Sequence, residues 1–76
     1  MEFNIKNGYS IDYKEIISGT YTGIIYGPDI QNGSQAAVGI SVDEVIDALK
    51  ALSYEAQIPE EVWDDLKSMI KEYGFN

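Results

Sequence analysis

A chain of 76 residues has room for one hydrophobic core and not for two, and a core of that size supplies only about 3–5 kcal/mol by itself. It holds no cysteine and no histidine, and five basic residues, all lysine, stand against thirteen Asp and Glu for a net charge of −8. That excludes disulfide staples and thiolate or imidazole metal sites, and it disfavours direct contact with nucleic acid or an anionic membrane. A hydrophobic content of 45% separates the chain from disordered acidic tails. No apolar run approaches the ~18 residues of a membrane span. Met1 to Ser10 has neither a basic start nor an apolar stretch of the secretory kind, so a cytoplasmic location is expected.

The first half reads as antiparallel strands. Phe3 and Ile5 alternate with Asn4 and Lys6; Tyr9, Ile11 and Tyr13 alternate with Ser10 and Asp12; Asn7-Gly8 stands between them. A two-residue turn would set Ile5 against Ser10 and mix apolar with polar residues on one face. A three-residue turn, Lys6-Asn7-Gly8, sets Ile5 against Tyr9 and Phe3 against Ile11, so it is the expected register, with Gly8 at positive φ. Lys14 to Ile17 suits either a continued strand or one helical turn. Thr20 to Tyr26, entered through Ser18-Gly19, and Ala36 to Ile40 read as further strands, separated by a loop from Gly27 to Gln35 that contains Gly27-Pro28-Asp29 and Asn32-Gly33-Ser34.

The second half has helical period. Ser41-Val42-Asp43-Glu44 forms a capping box, with Ile40 and Val45 placed as a hydrophobic staple, and Val42, Val45, Ile46, Leu49 and Leu52 follow as one stripe. Pro59 is expected at the first position of a second helix, whose stripe is Val62, Trp63, Leu66, Met69, Ile70 and Tyr73. Gly74 ends it, with Phe75 folding back on Ile70 as in a Schellman ending. The expected architecture is therefore a single α+β domain over residues 1–76. It has a small antiparallel sheet of three to four strands in residues 1–40 and two C-terminal helices, at about 41–53 and 59–73, packed on one sheet face.

No catalytic set is visible. Serine or threonine nucleophiles lack the usual histidine base, and without arginine the bidentate clamp for phosphate is missing. The glycines of residues 19–39 read as turn and bulge positions, because the loop at 27–34 is not followed directly by a helix and lacks a lysine for a phosphate. Calcium is not expected either, since Ile40 stands twelve places from Asp29 where a Glu ligand belongs. Ser41-Val42-Asp43 resembles the attachment-site serine of acyl carrier proteins, but Ile40 replaces their Asp and the strands of the first half oppose their helical bundle. The chain reads as a non-enzyme that needs no cofactor and no metal.

What remains is charge. Residues 1–40 carry four acids against two lysines, whereas residues 41–76 carry nine against three. Glu60, Glu61, Asp64 and Asp65 crowd the start of the second helix and form like-charge pairs at i,i+4; Asp43, Glu44 and Asp47 do the same on the first. These seven acids are the candidate partner-binding residues, and the partner they suit is a basic, nucleic-acid-binding protein. In general profile (short, acidic, free of Cys and His) the chain resembles phage anti-defence proteins, including anti-CRISPR proteins and other nucleic-acid mimics. That implies a stoichiometric inhibitor working in the cytoplasm, the host's if the chain is viral. Two other readings are a sponge for a small molecule or nucleotide, held by tyrosines and the Gly27–Gln35 loop, and an accessory or antitoxin-type subunit; either is compatible with a homodimer.

Overall fold

Alternating apolar residues on both sides of Asn7-Gly8 pair as the register argument requires. In the computed structural model, which describes residues 1–5 and 7–75, strands β1 (Glu2–Asn4) and β2 (Ser10–Ile17) are antiparallel, with Phe3 opposite Ile11. The Ile5 amide donates to the Tyr9 carbonyl at 3.1 Å, and Gly8 has φ +82°. Lys6, part of the expected turn, lies outside the described residues. Lys14 to Ile17 continue β2 as strand, with a bulge between Glu15 and Ile17 just before the turn into β3 (Thr20–Tyr26). Strand β4 spans Ser34–Gly39. It begins two residues earlier than the periodicity suggested and leaves Ile40 outside, because the 3-10 turn at Gln31–Gly33 closes the loop sooner, with Asn32 and Gly33 both at positive φ. The sheet is a meander, β1-β2-β3-β4.

Two helices cover one face of this sheet, giving an α+β fold. Helix α1 spans Val42–Leu52, and Ser41 caps it: its hydroxyl accepts from the Glu44 amide at 3.1 Å. The Glu44 carboxylate reaches one residue further back than a capping box requires and accepts from the Ile40 amide at 3.2 Å. The expected staple does not bury Ile40, which is 68% exposed while Val45 is fully buried. Helix α2 spans Glu60–Tyr73; Pro59 is its N-cap, with ψ 144°, not its first helical residue. The end of α2 is a Schellman motif. Gly74 sits at φ +120° and donates to the Lys71 carbonyl at 3.1 Å, while the Phe75 amide donates to the Ile70 carbonyl at 3.3 Å.

The core is the single layer between sheet and helices: Phe3, Ile11, Tyr13, Tyr21 and Ile25 from the strands meet Val42, Val45, Ile46, Leu49, Val62, Trp63, Leu66 and Ile70. Leu52 and Tyr73, expected in the stripes, are exposed, each at the C-terminal end of its helix. Tyr73 nevertheless joins an aromatic cluster that closes the molecule. Phe75 stacks on Tyr73 at 5.4 Å between centroids and presents edges to Phe3, Tyr13 and Tyr21. Tyr13, stacked on Tyr21 at 5.6 Å, is buried enough that its phenol is pushed up to about 12, with the neighbouring Tyr21 adding to the effect of desolvation.

Gly23 and Gly39 lie in the expected strands, beneath α1, and are regularly paired there, neither at a turn nor at a bulge. A Cβ on Gly23 would stand 2.7 Å from Val45 Cγ1, and one on Gly39 would stand 3.1 Å from Val45 Cγ2. The missing side chains are what allow α1 to lie against β3 and β4.

Two substitutions test the local signals. Ser41→Ala orphans the Glu44 amide and should lower stability by about 1 kcal/mol, several degrees in a thermal melt of a domain this small. Gly8→Ala should destabilise more than Asn7→Ala, because Gly8 alone of the two has positive φ; equal losses in paired melts would contradict the three-residue turn.

Candidate functional site

The helices run antiparallel, and lysines tie them at both ends. Lys50, near the end of α1, donates to Glu60 at the start of α2 at 2.8 Å. Lys71 and Lys67, on the later turns of α2, approach Asp43 at the start of α1 at 3.1 and 3.4 Å. Helical period explains the selection: positions 60, 67 and 71 fall on the side of α2 that faces α1.

This arrangement divides the seven candidate acids. Asp43 is neutralised, and hydrogen bonds from Lys71 and Lys67 hold its carboxyl below the usual aspartate range. Glu44 is engaged in the cap and Glu60 in its pair with Lys50. Asp47 and Asp64 share the field of the same Lys50, whose ammonium is held above its ordinary value chiefly by the Glu60 hydrogen bond and further by these two carboxylates. Glu61 and Asp65 have no basic neighbour among the described residues. The structure therefore does not bring the seven together as one patch: Asp43 and Glu44 sit at the opposite end of the helix pair from Glu60 and Glu61.

The side of α2 turned away from the core is nevertheless mostly acidic. Glu61, Asp65 and Glu72 are exposed there with Ser68 between them, and Asp64 is exposed on the flank nearer Lys67 and Lys71. Glu72 was not among the sequence candidates, yet the spacing 61, 65, 68, 72 places it on the same face. From Glu61 to Glu72 is about 16 Å along the helix, with Glu61, Asp64 and Asp65 within the first ~6 Å and Glu72 about 10 Å further on. All four lie within about two Debye lengths at physiological salt, and their fields add.

A second feature is the loop expected to hold a small molecule. Asp29, Gln31 and Gln35 face Leu52, Tyr54 and Glu55 of the α1–α2 connection across an open depression of about 430 Å³. Tyr9 braces the loop by donating to Asp29 at 3.3 Å, and burial, with the Asp29 charge beside it, raises the Tyr9 phenol above its ordinary value. Ser53, at the floor, is buried, and its hydroxyl has no hydrogen-bond partner among the described residues. Two carboxylates and no lysine among the lining residues make the depression a poor match for a phosphate-bearing ligand. Among the described residues no group of three or more acids is placed to hold a metal ion, and no helix is long and apolar enough to cross a membrane.

Like charges on one helix face oppose folding, whereas the four ion pairs among the described residues, which salt would also screen, contribute little. Raising NaCl from low to moderate concentration should therefore raise the melting temperature, and a fall would contradict a net repulsive helix layer.

Comparison with protein-family models, curated proteins and solved structures finds no match to this chain.

Proposed function

We propose that the chain is a non-catalytic, cytoplasmic protein-binding module whose α2 outer face enters the basic groove of a nucleic-acid-binding partner and blocks it stoichiometrically, as anti-defence inhibitors that mimic nucleic acid do. One observation carries the reading: Glu61, Asp65 and Glu72 stand exposed on one side of a single helix with no ion pair among the described residues, and Asp64 adjoins them. A solvated surface does not need such alignment, and the like-charge neighbours on this helix each cost about 0.2–0.5 kcal/mol. A basic groove would turn that cost into affinity and into fast, salt-sensitive association. Asp43, Glu44 and Glu60, held in internal contacts, contribute to the field more than to contact. The carboxylates around the 430 Å³ depression weaken the alternative of a nucleotide sponge.

The test is a partner captured from cells and its affinity for three proteins at two salt concentrations. The doubly substituted Glu61→Lys, Asp65→Lys protein should fold, since both residues lie opposite the Leu66 and Ile70 stripe, but it should bind roughly a hundredfold or more weakly, because like charges set against a basic groove cost several kcal/mol. Glu2→Lys, on β1, should bind as the parent does. Equal binding by the double variant would reduce the α2 face to a solvated surface and direct attention to the depression.

A further inference from the structure

The helices cover only one face of the sheet. On the other, strand register aligns two adjacent rows: Asp12, Ile24 and Ala36, then Lys14, Thr22 and Val38. Among the described residues no helix packs on them, and Val38 is 58% exposed in the edge strand. We propose that this open sheet face is a homodimer interface, occupied by the same face of a second copy.

Self-complementarity favours a second copy. Within each strand the two rows lie two residues, or about 7 Å, apart. A twofold axis parallel to the sheet and between the two copies, perpendicular to the strands and midway between the rows, exchanges them. Asp12 of one copy then opposes Lys14 of the other, Ile24 opposes Thr22 and Ala36 opposes Val38, and each contact is made twice, as an isologous interface requires. The small residue opposite the larger one on β4 suits sheets stacked about 10 Å apart. Lys14 has no carboxylate partner among the described residues, so a second copy would supply one.

Charge distribution permits the approach. The helix layer carries most of the −8 and repels its like. On the open face Lys14 and the Met1 ammonium, 3.2 Å from Asp12 Oδ1, balance Asp12 and Glu2. On this surface two acidic copies meet without a like-charge penalty. Strands of 3, 8, 7 and 6 residues give the face about 380 Å². Two copies would cover about 750 Å², below the size of a standard specific interface, which implies a weak, reversible dimer that forms only at high concentration. Pairing in this way leaves both α2 outer faces turned outward, so the interface does not depend on the function proposed for them.

Sedimentation across about a hundredfold range of concentration, up to millimolar, tests the proposal, with circular dichroism melts to confirm that each variant folds. The parent mass should rise from 8.5 kDa toward twice that value. Val38→Asp should remain monomeric throughout. Lys14→Glu should weaken association at least tenfold, and Asp12→Lys combined with Lys14→Asp should restore it, because the exchange preserves the twofold pairing. A parent that stays monomeric at millimolar concentration overturns the dimer and leaves the face to an unlike partner. Variants that associate as the parent does place the contact on another face, and a folded double variant that fails to recover overturns the pairing.

Discussion

Val45 lies where a side chain on Gly23 or Gly39 would have to begin, and the rest of the fold follows from that close approach. With no Cβ in the way, α1 settles onto β3 and β4, and Val42, Val45, Ile46 and Leu49 are sealed from solvent. Helix α2 then leans on α1 and on the β1–β2 side of the sheet, where Phe75 closes the gap against Phe3, Tyr13 and Tyr21. A core one layer deep has no reserve. Over-packing under α1 would cost about 1–3 kcal/mol, a large share of what so small a domain has.

The lysines, more than the acids, decide what the surface presents. Three of the five lie along the seam between the helices, where Lys50 meets Glu60 and Lys67 and Lys71 meet Asp43. Each exposed pair is worth little in stability. Their joint effect is geometric, because they draw positive charge inward and leave the outer face of α2 acidic from Glu61 to Glu72.

Features governed by local period were legible before any coordinates. The Phe3–Ile11 register, the Ser41 cap and the buried stripes each depend on residues a few positions apart or on a side-chain alternation that tolerates no slip. Features that depend on where one element ends over another were not. Leu52 and Tyr73 have the right spacing and Ile40 the staple position, yet all three are exposed. Gly23 and Gly39 fall within the expected strands, but their need for a missing side chain was not legible, because it is explained only by the helix above them. The acids show the same limit: periodicity grouped seven of them, but only the antiparallel course of α1 and α2 determines that Asp43 and Glu60 are engaged while Glu61 and Asp65 are not.

The separation of a nearly balanced sheet from a strongly negative helix layer makes one copy of this molecule an electric dipole. In the field of a positive surface such a body turns before it touches, so its helices lead and a large share of random approaches become correctly oriented ones. Two copies stacked through their sheets would point these dipoles in opposite directions and cancel them. The pair would be drawn by its net charge but no longer aligned by the field, and it would offer an acidic helix on either side. Oligomeric state would then govern the orientation of each encounter as well as the number of contacts made.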